Sequence, residues 1–385
     1  MNILLPCTSG HVSSAMTGVK AKLALISTLL LLVPSSLLLA HDDENGAFLP
    51  DQVRSASTIP GNGDLNPYGV AFVPPGFPAG GMVSPGNILV SNFNSSANLQ
   101  GTGSTIVDIT PGPPSNPAGS AQVFFQGGAG LGLTTALNIL KAGFVLVGNF
   151  PTTGSACPNP PGAPGSILVI DKNGGLVNTI SDAKINGPWD SALLDQGSSA
   201  KFFVSNALTG TVVRLDLTVG AGGVTVKDIT QIASGYAHAC DPVTFVDAPT
   251  GLVYDANRDT LYVASTLDNE VFAVGDGAET NQDRGRGTLV YSDNVHLHGP
   301  LGMIQAPNDH LVVSNNDAVN PDPNQPSELV EFTKQGHFVK QISVDPAQGG
   351  SFGLAVAASA DTVNLTAVDD NQNILLIWTL KLSEE

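Results

Sequence analysis

The chain has 385 residues, of which only 12% are charged, yet acids outnumber bases 33 to 15 and the formal net charge is −18. A surface of that sign repels phosphate backbones and anionic headgroups, which argues against nucleic acid and peripheral membrane surfaces as partners. The 43 glycines and 27 prolines interrupt the chain often and leave few long runs of helix formers, the profile of turn-rich β structure.

Residues 1–40 contain Lys20 and Lys22, no carboxylate, and an apolar run, "LALISTLLLLVPSSLLLA" (Leu23 to Ala40), followed at once by "HDDENG". This order of basic, apolar and small residues is that of a secretory signal peptide cleaved after Ala40. Starting at Met16 instead of Met1 would bring the lysines to the amino end. A retained anchor is the competing reading, because about 18 apolar residues span a bilayer, but Pro34, Ser35 and Ser36 interrupt the run. The expectation is a signal peptide over 1–40, a short segment over 41–52 and one domain over 53–385, in a secreted or periplasmic protein with no membrane insertion after cleavage.

From there two phrases alternate. One is a Pro-x-Gly-like opening: "NPYGVAF" (Asn66 to Phe72), "GLGLTTAL" (Gly130 to Leu137), "GPWDSAL" (Gly187 to Leu193), "APTGLVY" (Ala248 to Tyr254), "GPLGMI" (Gly299 to Ile304) and "GSFGLAV" (Gly350 to Val356). The other is an apolar strand closing on a polar residue, as in "ILVSNFN" (Ile88 to Asn94), with closures at Asn92, Asn149, Asn206, Thr266, Asn315 and Asp369. A third strand follows each closure, from "TIVDIT" at Thr105 to "ILLIW" at Ile374, and a fourth follows all but the last. The repeat period of roughly 50–60 residues is that of propeller blades. The last repeat lacks its fourth strand, and "VRSASTI" (Val53 to Ile59) belongs to no repeat. The reading is therefore an all-β, six-bladed β-propeller of four-stranded antiparallel blades, its last blade closed by the N-terminal strand so that no sheet edge is left open.

The order of an opening Pro-x-Gly, a Ser-Asn closure and a third strand ending in Asp, as in Ser166 to Asp171, resembles the NHL-repeat propellers and their gluconolactonase-like relatives, over about residues 53–380. In that family the x positions of the opening motif are expected to carry carboxylate and amide metal ligands aimed into the central channel. Here they read Tyr68, Leu131, Trp189, Thr250, Leu301 and Phe352, none of them a carboxylate, so metal-dependent lactonase activity is disfavoured. Tyr68, Trp189 and Phe352 instead offer aromatic faces for a small-molecule, peptide or protein ligand, or else they plug the channel.

Other candidates cluster in the loops expected on the same face. "YAHACD" and "NVHLHG" bring His238, Asp241, His296 and His298, which with Asp190, standing where the third opening motif expects Gly, could hold a divalent metal or a catalytic base. Loop histidines are also commonly simple hydrogen-bonding residues. Cys157 and Cys240 both map to this face, and an oxidising compartment favours their pairing. The closing Asn and Asp residues read as turn-tying groups, and the acidic loop Asn315 to Glu328 as a solvated one. The function expected is that of a monomeric, secreted binding or scaffold module without a firm cofactor; the alternative is a secreted hydrolase or lyase, metal-assisted or not.

Overall fold

A strand sandwiched between two neighbouring sheets must be apolar on both faces, and the second strand of each repeat has that character: every residue of Ile88–Asn94 is buried. The fourth strands show the opposite pattern, with four of the five residues of Leu176–Ile180 exposed. This gradient from inside to outside arranges the sheets radially.

The computed structural model describes residues 46–49, 53–112, 119–128, 130–152, 165–241, 244–359 and 361–381, all within one compact unit, Asn45–Glu385. After β1 (Arg54–Ser57), blade one comprises β2 (Leu65–Phe72), β3 (Ile88–Asn94), β4 (Thr105–Ile109) and β5 (Gln122–Gln126). Blade two comprises β6 (Leu133–Leu140), β7 (Phe144–Asn149), β8 (Ser166–Asp171) and β9 (Leu176–Ile180). Blade three comprises β10 (Pro188–Asp195), β11 (Ser199–Asn206), β12 (Thr211–Gly220) and β13 (Gly223–Ser234). A two-stranded hairpin, β14 (Ala239–Asp241) and β15 (Phe245–Asp247), precedes blade four, which holds β16 (Pro249–Asp255), β17 (Thr260–Ser265), β18 (Glu270–Gly275) and β19 (Thr288–Ser292). Blade five holds β20 (Pro300–Gln305), β21 (Leu311–Asn315), β22 (Glu328–Phe332) and β23 (Phe338–Ser343), and blade six holds β24 (Ser351–Ala358), β25 (Thr362–Asp369) and β26 (Ile374–Lys381).

The fold is a six-bladed β-propeller of four-stranded antiparallel blades. The N-terminal strand completes it: β1 pairs antiparallel with β26, Arg54 facing Ile377 and Ser57 facing Ile374. Five apolar clusters each join two consecutive blades, and a further one joins blades six and one through the axial aromatic residues. The hairpin β14–β15 was not legible as a separate element in the sequence.

Every inner strand carries a register break, at Pro67/Val70, Leu133/Leu137, Pro188/Ser191, Pro249/Leu252, Pro300/Met303 and Ser351/Leu354. The x-Gly pair of the opening motif occupies this bulge, and its glycine lets one blade's backbone lie against the next. A Cβ on Gly251 would sit 2.0 Å from the Leu301 carbonyl oxygen, and one on Gly353 would sit 2.0 Å from that of Tyr68.

The bulges also correct the alignment of two repeats. Leu133 pairs with Asn149 as Pro67 pairs with Asn92, so the counterpart of Tyr68 in blade two is Thr134, and Leu131 lies outside the strand, packed beside the core. Pro249 pairs with Ser265, which makes Ser265 the closing residue of blade four in place of Thr266.

Hydroxyl groups then connect the blades. Ser91 donates to the Thr134 carbonyl at 2.8 Å, Ser205 to that of Thr250 at 2.9 Å and Thr266 to that of Pro300 at 2.8 Å. Thr135 donates to Trp189, and Ser314 to Phe352, in the same way. The Ser91 and Ser205 hydroxyls also accept the bulge amides of their own blades, from Gly69 and Asp190, both at 3.0 Å. The recurring Ser-Asn phrase is therefore an inter-blade fastener followed by a turn tie. Asn92, Asn149 and Asn206 each donate to the hydroxyl that opens the next strand, Thr105, Ser166 and Thr211.

Candidate functional site

Because Pro67 pairs with Asn92, the loop before each inner strand and the loop after each second strand lie at the same end of the blade. At that end the central channel is closed by an aromatic layer. Tyr68 stacks on Phe93 at 4.5 Å and on Phe352 at 4.3 Å, while Trp189 meets Tyr68 edge-on at 5.8 Å and stacks on Phe245 at 5.7 Å. All are buried, and Phe245 is seated from β15 with a φ of 74°, a strained value for a bulky residue.

The layer is asymmetric for a reason visible in register. The residue after the closing position is Phe93 in blade one and Phe150 in blade two, both in the aromatic layer, Ala207 in blade three, clustered with Trp189 and Phe245, Thr266 in blade four, and Asn316 and Asp370 in blades five and six. On the side of Asn316 and Asp370 a cavity of about 350 Å³ opens over Tyr68 and Phe352, walled by Gln100, Thr244, Asp317, Gln348, Gly349 and Asn371 as well.

Two carboxyls at this edge are strongly perturbed. Burial, reinforced by Asp369, pushes Asp370 well above the usual carboxylate range, and one of its oxygens has no hydrogen-bond partner. Burial raises Asp369 to about 7, with Asp345 adding to it. Burial and Asp370 together keep the Tyr68 phenol protonated.

The histidines expected to act together are separated by their partners. His238 bonds the Tyr236 carbonyl at 3.1 Å. His296 pairs with Asp293 at 2.5 Å and stacks on Phe338 at 3.7 Å. The segment between His296 and His298 is a turn, the Leu297 amide bonding the Asp293 carbonyl at 2.8 Å, so the two rings do not share the side that an extended segment would give them. Asp241 receives the Thr244 amide at 2.9 Å and supports the pocket wall from behind. Among the described residues the metal-type donors that converge are His298, Asp317 and Glu328, without His238, Asp241 or His296. Asp317 and Glu328, read in sequence as parts of a solvated loop, are both buried.

Asp190 lies elsewhere, in a second cavity of about 300 Å³ lined by the inner strands at and beyond their bulges, such as Gly353, Ala71, Asn138 and Leu193. Its carboxylate takes the Ser191 amide at 2.7 Å, and burial raises it well above its ordinary range. Trp189 forms part of the aromatic layer but is not among the residues lining the loop-face cavity. Cys240 sits in β14, while its expected partner Cys157 lies outside the described residues.

Fold and cavity together define a six-bladed β-propeller with a small polar pocket at one mouth of its channel. Of the comparisons with known proteins, that with solved structures finds likeness. No family model matches the chain, and no curated protein matches it. Among solved structures, a protein from Thermus thermophilus described as an oxidoreductase (glucose dehydrogenase) superposes with a TM-score of 0.50 at 11% identity, over 86% of this chain and all (100%) of that one. A gluconolactonase from Xanthomonas campestris superposes with a TM-score of 0.49 at 13% identity, over 86% of this chain and 90% of that one. At such identity the likeness concerns the fold alone.

Proposed function

We propose that the protein is an exported, monomeric binding module that takes a small, uncharged, polyhydroxylated ligand in the loop-face pocket over Tyr68 and Phe352. The observation that carries this reading is the exchange of Phe93 and Phe150 for Asn316 and Asp370 at the same register position, which turns a plugged channel mouth into a cavity. An aromatic floor suits the C–H face of a ring, and a rim of amides and a protonated carboxyl offers donors and acceptors without a fixed charge demand. Trp189 supports the floor edge-on through Tyr68. Export is supported by the basic, apolar and small-residue order of residues 1–40, which lie outside the described residues.

Titration calorimetry of the purified protein against monosaccharides, disaccharides, polyols and short peptides is expected to find saturable binding of one sugar-class ligand per chain. Asp370→Phe, which supplies the ring carried by blades one and two, is expected to abolish that binding without unfolding the protein. Saturable binding by peptides alone, no saturable ligand in the panel, or binding untouched by Asp370→Phe, would overturn the proposal.

One observation favours the enzymatic alternative. Asp370 presents a carboxyl kept protonated by burial at the cavity wall, the state required of a general acid in a hydrolase. Consumption of the bound ligand, followed by NMR over hours, would select that reading; an unchanged ligand spectrum would select binding.

A further inference from the structure

Blade five departs from the repeat at three positions that meet in space. The third strand opens with a hydroxyl residue in blades one to three, Thr105, Ser166 and Thr211, and with a glutamate in blades four and five, but Glu270 of blade four is partly exposed whereas Glu328 of blade five is buried. Two residues past the closing Asn, blades one to three carry Asn94, Pro151 and Leu208, whereas blade five carries Asp317. Two residues before the first residue of its inner strand, blade five carries His298.

The three side chains are 2%, 2% and 1% exposed for His298, Asp317 and Glu328. His298 Nδ1 is 3.2 Å from Glu328 Oε1 and 4.0 Å from Asp317 Oδ1, and one donor atom from each residue lies within 4.8 Å of the others. Asp317 Oδ1 has no hydrogen-bond partner, and the 3.2 Å approach of His298 Nδ1 to Glu328 Oε1 is an ion pair that favours the protonated imidazole, although its alignment is too poor for a regular hydrogen bond.

The remaining atoms of the same groups are held in place. Asp317 Oδ2 accepts the Ser327 and Gly349 amides, each at 2.9 Å. Glu328 Oε2 accepts from Asn315 at 3.3 Å, and His298 is tied to the Val295 carbonyl. Asp317 adopts a φ of 59°, which turns its side chain inward, and Gly299, at a φ of 85°, allows the histidine loop to lie against Asn316, whose Oδ1 would be 2.5 Å from any Cβ there.

A protonated His298 offsets one of the two buried carboxylates, and the second negative charge is left without a cation unless an ion takes the proton's place between the three groups. An imidazole with two carboxylates is a borderline donor set that suits zinc-class ions, whereas calcium asks for six or more oxygens. Hydrogen bonds from outer groups that fix each ligand's orientation are the usual accompaniment of a metal centre.

We propose that His298 Nδ1, Asp317 Oδ1 and Glu328 Oε1 form a divalent transition-metal site of the zinc class. Because Asp317 also lines the loop-face cavity, the ion would stand in the wall of that cavity. The proposal does not depend on which ligand, if any, the cavity takes.

The test uses the purified full chain, stripped with chelator and titrated with Zn²⁺ and separately with Mn²⁺, with calorimetry and thermal denaturation as readouts. One equivalent of Zn²⁺ is expected to bind and raise Tm, and His298→Ala, Asp317→Asn and Glu328→Gln are each expected to weaken that binding at least tenfold. Glu328→Gln is nearly isosteric and guards against a variant that fails only because it unfolds, with circular dichroism as the check. No saturable uptake by the folded wild-type chain would overturn the proposal. So would uptake undiminished in Glu328→Gln and Asp317→Asn, which would place the ion elsewhere, for instance on "HDDE" at His41 to Glu44.

Discussion

His310 and Glu331 lie 2.8 Å apart, almost fully buried, and the same carboxylate receives the backbone amides of Phe48 at 2.8 Å and Leu49 at 3.1 Å. A segment that precedes the first strand is thereby clamped onto blade five, with Lys340 closing on the Leu49 carbonyl at 2.8 Å. Glu331→Ala removes the acceptor of the Phe48 and Leu49 amides and the partner of His310 Nδ1 at once. The expected cost is about 3 kcal/mol in chemical denaturation. A change below roughly 1 kcal/mol would mean that water or a side-chain shift replaces the carboxylate.

Deleting residues 53–59 removes the four paired positions between β1 and β26 and the buried Ala56. The expected loss is several kcal/mol, on the order of 1 per ladder bond plus the packing term. The bared edge of β26 should also promote self-association. Thermal denaturation and light scattering measure both, and an unchanged Tm would count against ring closure by this strand as a source of stability.

Asp369 ionises near 7 in the folded chain against an ordinary value of 3.8. Between those values folding takes up a proton, so this group's contribution is fully present below about pH 4, declines as pH rises through 7, and is flat above. Asp345 opposes its ionisation, and Asp369 once ionised opposes that of Asp370. Stability is therefore expected to fall between about pH 4 and 7 by roughly 1–2 kcal/mol after allowance for solvent screening. Asp369→Asn should flatten that slope; an identical slope in the variant would assign it to another group.

Cys157 and Cys240 are expected to be joined. Alkylation of the denatured chain from residue 41 onward should label no cysteine before reduction and both after it, read by mass spectrometry. Labelling without reduction would show free thiols.

The blades were legible because their physical requirements are local and repeated. A bulge that presses on the next blade asks for Gly, an inter-blade bond asks for Ser, and a turn tie asks for Asn, so the phrases recur. Alignment failed where a residue meets the same requirement by other means. In blade two, Thr135 stands at the glycine position and supplies the inter-blade hydroxyl itself, so "GLGL" upstream looked like the motif. In blade four, Ala264 and Ser265 hold the register that Ser-Asn holds elsewhere, which shifted the reading by one residue.

The site was legible only in part. His298 stood out as a rare residue, but its relation to Asp317 and Glu328 depends on a left-handed turn and on a strand start that composition does not reveal. The Thr105, Ser166, Thr211 series breaks to a glutamate at both Glu270 and Glu328, so that change alone could not single out blade five; the available signal was its coincidence with Asp317 and His298 in one repeat. His296 was misplaced because a turn, not an extended strand, separates it from His298.

The hydroxyl fasteners run across the junctions from blade one through blade six, and among the described residues none spans from blade six back to blade one, where Gly353 instead lies directly against the Tyr68 backbone. The circle therefore has a seam without that fastener, held by apolar contact, by β1, and by polar ties of another kind, the Asn66 amide on Asn373 Oδ1 at 2.6 Å and the Arg54 guanidinium on the Pro111 carbonyl. Amide protons of β26 and β1 would exchange through opening at that seam before those of blades two to four, whose interfaces are stitched on both sides.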